Sequence, residues 1–224
     1  VYDKKNNVYK TPKNAGNKIN TAQNEITPFF DNETRTLYYS SDGLGGLGGY
    51  DVFKAAGDGK KWMSAENIGQ PVNTGADDIY YTISTNREEG FFVSNRKGGN
   101  ALKNSTCCDD IYTYKHSEYI KINLLGNVNE MIDPNMAIPQ ATVEVYIVDK
   151  KTKEKFLVKI IESDKNGDFK TTVEANQDYF LIVKKNDFLG NTAEVTTKGI
   201  TTSQDITKTV LLAKKPKEPI RIPR

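Results

Sequence analysis

Two adjacent cysteines, Cys107 and Cys108, carry the most reactive side chains of this sequence and are its only cysteines. A thiol pair can be oxidised to a disulfide or can bind a soft metal ion. A zinc site usually takes four ligands, and the single histidine, His116, does not complete a familiar set. Two interpretations stay open. In an oxidising compartment the pair could form a strained vicinal disulfide or bond to another segment; otherwise it is two partly buried thiols.

Paired carboxylates form the second candidate for chemistry. Asp77-Asp78 and Asp109-Asp110 each precede a short apolar run, where carboxylates could ligate a hard cation such as calcium or act as acid and base. Asp at the entry of a strand more often accepts hydrogen bonds from nearby backbone amides in an Asx turn. The sequence favours that turn, with calcium as the alternative, and predicts no catalytic, cofactor-binding or metal-binding residues.

Two further patterns resemble ligand loops but lack essential parts. A cluster of glycines, at positions 43, 45, 46, 48, 49, 98 and 99, lacks the GxxxxGK[ST] motif and the following helix of a phosphate loop, so we expect turn residues with positive φ. The segment from Asp164 to Asp168 has alternating oxygen ligands, but Gly167 and Ala175 stand at the wrong positions for an EF-hand. Its Asn166-Gly167 pair predicts a β-hairpin turn instead.

The first half of the chain repeats at an offset of 53 residues, which aligns Gly16 with Gly69 and Tyr38-Tyr39 with Phe91-Phe92. Beyond Gly98-Gly99 the offset grows to 59, and the six additional residues carry the cysteines. Short aromatic and β-branched runs between Gly, Asn and Asp predict strands, and repeats of this length predict stacked supersecondary units. The predicted strands lie near residues 26–30, 36–40, 51–55, 61–64, 78–84, 90–94 and 110–115.

The two repeats, NEITPFFDNETRTLYYSSDGLGGLGGYDVFKA and NIGQPVNTGADDIYYTISTNREEGFFVSNRKGG followed by CCDDIYTYK, resemble the TolB-type, WD40-like propeller repeats of OmpA-family proteins from Bacteroidota. The resemblance implies that residues 1–116 are about two blades of a larger β-propeller. We expect aromatics at matched positions to pack between blades rather than to stack on sugars; they are Tyr38, Tyr39, Trp62, Phe91 and Phe92.

The second half alternates apolar and polar residues with period two, which predicts about seven strands in a two-sheet β-sandwich over residues 117–213. The predicted strands lie near residues 120–124, 143–147, 156–160, 169–173, 179–183 and 210–212, with a weaker one near 195. The Pro-x-Ala-x-Val and Asp-x-Asn-Gly-x-Phe pieces resemble the regulatory, transthyretin-like domain of carboxypeptidases. Peptidase chemistry does not follow, because His116 is the only histidine and we expect it in a solvated linker. Residues 214–224, KKPKEPIRIPR, predict a Pro/Lys-rich linker.

Composition removes several function classes. Thirty-one basic and 29 acidic residues leave a net charge of +2 with both signs interspersed, which disfavours nucleic-acid binding. No apolar run approaches the roughly 18 residues of a membrane helix, so we expect a chain that does not span a membrane. The sequence thus predicts an all-β protein without cofactors that is not an enzyme.

The order of propeller repeats, sandwich and linker resembles the PorE-like OmpA-family proteins of the Bacteroidota type IX secretion system. The resemblance implies a fragment of a periplasmic, outer-membrane-associated scaffold. Its expected partners are subunits of an envelope protein complex, and peptidoglycan through a downstream OmpA-like domain that lies outside this chain. The alternatives are a paralogous anchor for outer-membrane protein insertion and a glycan- or ligand-binding module.

Overall fold

A computed structural model describes residues 2–3, 5–100, 102–104, 107–115 and 119–216. Over these ranges the chain is all-β and contains no helix, which confirms the predicted structural class. No described segment therefore has the length and hydropathy of a membrane-spanning helix. The chain divides into two compact units, each of which is described by itself. Among the described residues, the first unit comprises residues up to Asp31 together with Thr36–Lys115, and the second comprises Asn32–Arg35 together with the residues from Tyr119 onward.

In the described ranges the first unit contains nine short strands, and their pairings are all antiparallel. They are β1 (Tyr2–Asp3), β2 (Val8–Tyr9), β3 (Glu25–Asp31), β4 (Thr36–Ser41), β5 (Asp51–Ala56), β6 (Glu66–Asn67), β7 (Asp78–Ile83), β8 (Glu89–Ser94) and β9 (Asp110–Lys115). β1 and β2 form a hairpin. Each repeat forms a sheet of its own, with the order β3-β4-β5-β6 in the first and β7-β8-β9 in the second.

The strand predicted at residues 61–64 is wrong. Trp62 forms only an isolated bridge with Gly57, and the strand that pairs with β5 lies at β6. The reason is a tight turn, in which the Asp58 carboxylate accepts hydrogen bonds from the amides of Lys60 and Lys61, both at 2.8 Å. An Asx turn of this kind ends one extended segment before the next begins.

The repeat is visible in the backbone as well as in the sequence. The first strand of each sheet has a register shift at the same place, between Ile26 and Phe29 in β3 and between Ile79 and Thr82 in β7. At these bulges Thr27 and Tyr80 adopt φ of 51° and 53°, which is uncommon for non-glycine residues. The offset of 53 therefore relates equivalent positions in two similar sheets.

From residue 119 to residue 216 the second unit contains seven strands, and each coincides with a predicted one. They are β10 (Ile122–Glu130), β11 (Thr142–Val148), β12 (Lys155–Glu162), β13 (Asp168–Val173), β14 (Asp178–Lys184), β15 (Asn191–Thr196) and β16 (Gln204–Leu212). One sheet has the order β13-β10-β16, with β10 and β16 parallel, and the other has the antiparallel order β12-β11-β14-β15. Together they form the compact unit.

Each of these sheets buries one face. Side chains alternate between the two faces of a strand, and burial alternates along β10 and β11 accordingly. Burying an aliphatic side chain of this size stabilises a protein by about 1.5–3 kcal/mol, so the alternation specifies which face packs inward. The most deeply buried aliphatic residues are Ile122, Leu124, Val128, Val143, Val145, Leu181, Val183 and Leu212.

The predicted Asn166-Gly167 hairpin is wrong, because β12 and β13 belong to different sheets. The segment is still a tight turn: Asp164 Oδ1 accepts hydrogen bonds from the amides of Asn166 and Asp168, at 2.8 and 2.9 Å. Gly167 adopts φ +77°, and a Cβ there would lie 2.6 Å from the carbonyl oxygen of Val128. The glycine therefore serves a crossing between sheets rather than a hairpin.

The start of the predicted linker is attached to the second unit. Lys214 bridges Phe188 through the backbone, and its Nζ lies 2.9 Å from the carboxylate of Glu130. The amide of Lys215 donates to the carbonyl oxygen of Asp187 at 2.8 Å. The remaining predicted linker from residue 217 and His116 lie outside the described residues.

Candidate functional site

The first repeat sheet is covered on both faces. On one face, Tyr39 and Phe53 are 2% and 3% exposed and form a cluster with Ile19. On the other face, Tyr38 and Val52 are 6% and 0% exposed. All four side chains alternate along β4 and β5, so the two faces have equally apolar centres.

The second repeat sheet supplies the cover for Tyr38 and Val52. The ring centroids of Tyr38 and Tyr81 are 5.0 Å apart, and Tyr81 stacks on Tyr114 at the same centroid distance. Phe92 belongs to this cluster as well. Aromatic pairs at such distances contribute beyond the area that they bury. The two sheets of the first unit thus pack face to face through an aromatic cluster.

The opposite face of the second sheet is largely exposed in the part of the chain that the structure describes. Phe91 and Ile111 occupy the positions equivalent to Tyr38 and Val52, yet they are 52% and 75% exposed. Ile79, Val93 and Ile111 lie in register across the three strands, on the same side as Phe91. We call these four residues the outer face. Contiguous apolar surface of this kind is typical of an interaction site.

The edge of the second sheet differs from that of the first sheet as well. β5 pairs with β4 on one side and with the short β6 on the other. Its counterpart β9 pairs only with β8 among the described residues. An edge strand presents backbone donors and acceptors that a partner strand can use. The outer face and the β9 edge therefore adjoin each other.

Three of the four paired aspartates accept hydrogen bonds from backbone amides, as predicted, but these amides lie earlier in the chain and do not form the predicted Asx turn. Asp78 accepts hydrogen bonds from the amide and hydroxyl of Thr74, at 2.6 and 2.9 Å. Asp77 accepts one from the amide of Tyr50 at 2.9 Å, and Asp110 accepts one from the amide of Asn100 at 2.6 Å. Within the described ranges, no group of three or more His, Cys, Asp or Glu side chains is placed to hold a metal ion.

Arg96 is a central residue that the sequence analysis missed. Its guanidinium lies 2.6 Å from the Asp78 carboxylate, donates to the carbonyl oxygen of Val72, and stacks over the rings of Phe92 and Tyr112 at 4.6 and 5.0 Å. The sequence does contain a signal for Arg96: the equivalent position of the first repeat is a glycine, Gly43, so the arginine is a difference between two otherwise similar repeats. Arg96 therefore fixes the entry of β7 to the inner side of the second sheet.

In the first repeat, which has no arginine equivalent to Arg96, the carboxylate that corresponds to Asp78 is stabilised by hydrogen bonds instead. Glu25 stands where the second repeat has Asp78, and it accepts hydrogen bonds from the amide and hydroxyl of Thr21 and from the hydroxyl of Ser41. Burial acts to raise the pKa of Glu25, but these hydrogen bonds outweigh it and hold the pKa below its ordinary value. The carboxylate also joins burial in raising the pKa of Tyr39 to about 12.

The glycine cluster serves close packing rather than positive φ, so that part of the prediction is wrong. Of these glycines only Gly98 has positive φ. A Cβ at Gly46 would lie 1.8 Å from Asp51 Oδ2, and one at Gly99 would lie 2.2 Å from Asp110 Oδ2. A Cβ at Gly48 would meet the carbonyl oxygen of Ala76 at 1.9 Å. The absent side chains allow carboxylates and backbone to approach the loop.

The matched aromatics were expected to pack between blades; Tyr38 and Phe92 do lie between the two repeat sheets, whereas Tyr39 and Trp62 belong to the cluster on the other face of the first sheet. Tyr38, Tyr39 and Phe92 are buried, and Trp62 packs edge-on against Phe30 at 6.1 Å. Phe91 is the exception, because nothing in the described part of the chain covers the outer face. Phe91 is therefore the matched aromatic that the fold leaves accessible to a partner.

Comparisons with known proteins place the chain in no family. No family model matches it, and no curated protein matches it. Among solved structures, 3-chlorocatechol 1,2-dioxygenase from Rhodococcus opacus 1CP is 11% identical, with a TM-score of 0.34 over 46% of this chain and 64% of that one. A catechol 1,2-dioxygenase mutant from Acinetobacter radioresistens is 14% identical, with a TM-score of 0.34 over 47% and 56%. The Bacillus anthracis TIE protein is 16% identical, with a TM-score of 0.36 over 60% and 28%.

These comparisons correct one prediction from the sequence. The chain was expected not to be an enzyme, whereas several of the similar structures are catechol 1,2-dioxygenases. The exclusion of enzymes is therefore wrong. The matches span less than two thirds of the dioxygenase chains, and their TM-scores are below 0.5, so no activity is assigned in its place. The chain is similar to these proteins only at this coarse level.

Proposed function

We propose that this chain is a scaffold module that binds subunits of a larger assembly through the outer face of its second repeat sheet. The observation that carries the proposal is the difference in exposure between Phe91 and Ile111, at 52% and 75%, and their equivalents Tyr38 and Val52, at 6% and 0%. The same positions are apolar in both repeats. A patch of apolar side chains that is exposed in the isolated protein marks a surface that a partner covers in a complex.

The partner that fits this face is another sheet of the same repeat type. In the first sheet, the equivalent face is covered by Tyr81, Phe92 and Tyr114, so the expected partner carries aromatic and aliphatic side chains at these places. Repeats that pack only on their neighbours form solenoids or propellers, in which each unit covers the next. The proposed finer architecture is that of propeller blades.

For the second unit we propose a transthyretin-like β-sandwich. Seven strands in two sheets, each with one buried face, support this proposal. The resemblance to the regulatory domain of carboxypeptidases supports it independently. In the proposed protein this unit is a second binding module of the scaffold.

The cellular setting follows from the resemblance to OmpA-family proteins of the type IX secretion system. We place the chain in the periplasm at the outer membrane, where it would hold secretion-system subunits while an OmpA-like domain outside these residues grips peptidoglycan. A paralogous anchor of the outer-membrane insertion machinery would also hold the subunits of a machine in the periplasm while it is attached to peptidoglycan. The identity of the co-purifying subunits distinguishes the two.

A glycan-binding module is a second candidate, because two aromatic side chains of the second repeat sheet are exposed. Phe91 lies on the outer face, and Tyr80, at the bulge of β7, is 59% exposed. Sugar rings can pack on aromatic surfaces of this kind. Binding of the purified chain to a glycan array, with loss of the signal in Phe91→Ala, would favour this candidate over the scaffold.

The experiment that tests the scaffold is affinity purification of the tagged chain from native envelopes. A Phe91→Asp/Ile111→Asp variant is compared with wild type and with Ile160→Asp, which changes an isoleucine that is 57% exposed on the second unit. We expect wild type and Ile160→Asp to recover the same envelope subunits and the double variant to lose them. Equal recovery by all three proteins would contradict the proposal.

A further inference from the structure

The loop that carries the cysteines is an addition to a loop that both repeats share. Residues 42–50 connect β4 to β5, and residues 95–109 connect β8 to β9. The shared part is closed in the same way, because Asp51 accepts the amides of Leu47 and Gly48 and Asp110 accepts the amide of Asn100. The added residues therefore need a role other than closing the loop.

Cys107 has the environment of a stabilised thiolate. Its Sγ accepts hydrogen bonds from the amides of Leu102 and Lys103, at 3.2 and 2.9 Å, and its own amide donates to the carbonyl oxygen of Asn104 at 3.1 Å. Amide donors that converge on sulfur favour its negative form. The hydrogen bond with Cys108 and these amide bonds lower the pKa of Cys107 from 9.0 to about 7.

Cys108 has the complementary character. It is exposed, and its Sγ lies 2.7 Å from that of Cys107. The hydrogen bond with Cys107 raises the pKa of Cys108, so the second sulfur keeps its proton at neutral pH. The two adjacent thiols are therefore unequal: one is suited to attack and the other to follow it.

We propose that Cys107 and Cys108 form a redox-active dithiol whose substrate is a solvent-accessible disulfide. The Cys107 thiolate attacks one sulfur of that disulfide, forms a mixed disulfide and releases the first thiolate of the substrate. Cys108 then gives its proton to solvent and attacks Cys107 Sγ, which releases the second thiolate. The substrate gains two electrons and becomes two thiols, and the chain loses two electrons and holds a Cys107–Cys108 disulfide.

The adjacency of the two residues makes this disulfide reversible. Consecutive Cα atoms are about 3.8 Å apart, below the usual span of about 4.4–6.8 Å for a disulfide. Strained, exposed disulfides have higher reduction potentials and are the labile, regulatory or catalytic ones. The oxidised pair is therefore readily reduced again by a thiol, and the pair accumulates as a disulfide only while the substrate disulfide is in excess.

The test treats the reduced full chain with glutathione disulfide at pH 7 and follows intact mass with time. Wild type is expected to lose two hydrogen atoms with only transient glutathione adduct. Cys108→Ser retains the attacking thiol and should accumulate the adduct at Cys107. Cys107→Ser should react more slowly than Cys108→Ser, by at most about fivefold. The full fall in the pKa of Cys107 from 9.0 to about 7 would increase the thiolate roughly 50-fold and lower its nucleophilicity about tenfold, and Cys108→Ser replaces the thiol hydrogen bond that contributes most to that fall by one from a hydroxyl.

Two results would overturn the proposal. One is equal reaction rates of Cys107→Ser and Cys108→Ser in the folded chain. The other is a persistent glutathione adduct on wild type with no internal disulfide. The same variants in concentrated urea provide the reference, because unfolding removes the amides of Leu102 and Lys103 from Cys107. We expect the rate difference to vanish there; a difference that persists would also reject the role of the folded loop.

Discussion

The two repeat sheets of the first unit place equivalent residues in opposite surroundings. Tyr38 and Val52 lie between two sheets, whereas Phe91 and Ile111, at the same positions of the next repeat, face outward. Their side chains are equally apolar, so local pattern does not account for the difference. What differs is the neighbour, which the first sheet has and the second lacks within the described residues.

Features that depend only on nearby residues are kept in both repeats. The bulge residues Thr27 and Tyr80 share their positive φ, and Thr21 and Thr74 make the same contacts with a carboxylate four residues later. Repetition thus reproduces local geometry faithfully. Burial depends on a partner sheet and has to be tested separately for each repeat.

A charge at the centre of each face is expected to have the largest effect. Val52→Asp puts a carboxylate at a fully buried position and should destabilise the first unit by about 4 kcal/mol or more. Ile111→Asp, at the equivalent exposed position, should cost less than about 1 kcal/mol. Urea unfolding followed by fluorescence of Trp62, the only tryptophan, reports on the first unit. Equal losses would mean that the outer face is covered in solution.

Truncation of the matched aromatics sharpens the comparison without adding charge. Tyr38→Ala removes a ring that packs on Tyr81 and Phe29 and should cost about 3 kcal/mol. Phe91→Ala removes a half-exposed ring and should cost about 1 kcal/mol or less. Midpoints from the same urea titration measure both. A large loss for Phe91→Ala would break the comparison and would indicate self-association through this face.

The strands could largely be predicted from the sequence, because apolar periodicity and turn residues are local signals. Alternation located all seven strands of the second unit, and the repeat located β3, β4, β5, β7, β8 and β9. The 61–64 strand failed because Asp58 and Gly59 form a turn that shifts the last strand to β6. Here side-chain hydrogen bonds to the backbone outweighed the propensity of the aromatic residue.

The rest depended on contacts between distant segments. The Asn166-Gly167 turn has the composition of a hairpin, yet it joins strands of different sheets, because sheet assignment is set by packing rather than by turn residues. The exposure of Phe91 and the ion pair of Arg96 with Asp78 are tertiary as well. Equivalence between the repeats predicted the position of Phe91 but not its surroundings.

Substitution of Arg96 tests a difference in ion pairing between the repeats, because the second repeat has an arginine where the first has a glycine. Arg96→Met leaves the buried Asp78 carboxylate without its cation and should cost about 3 kcal/mol. In the Asp78→Asn/Arg96→Met double variant the uncompensated charge is gone, and we expect part of the loss to be recovered, by about 1–2 kcal/mol. Trp62 fluorescence and hydrogen exchange at β7 and β8 measure the change. If the double variant were less stable than Arg96→Met, the loss in Arg96→Met would not come from the unpaired Asp78 carboxylate, and the prediction would be contradicted.

The smallest expected effect comes from a hydrogen-bonded Asn–Asp pair in which the two residue types are interchanged between the repeats. Asn24 donates from its backbone amide and its side chain to the carboxylate of Asp42, at 2.8 and 3.0 Å. In the second repeat the backbone amide of Asp77 likewise donates to the Asn95 side chain at 2.9 Å, but the side-chain hydrogen bond is reversed and runs from Asn95 to Asp77 at 3.1 Å. Asn24→Asp places two carboxylates together and should cost about 1 kcal/mol at pH 7.

Adding Asp42→Asn to Asn24→Asp recreates the order of the second repeat and should restore stability to within about 0.5 kcal/mol of wild type. The side-chain and amide hydrogen bonds from Asn24 lower the pKa of Asp42. The single variant keeps the amide hydrogen bond but replaces the side-chain donor by a second carboxylate, so it should regain stability as acid protonates one of the two carboxylates. Urea midpoints at pH 7 and pH 3 measure both expectations. If the double variant remained as unstable as the single one, the two orders would not be interchangeable, and the equivalence of the repeats would not extend to this pair.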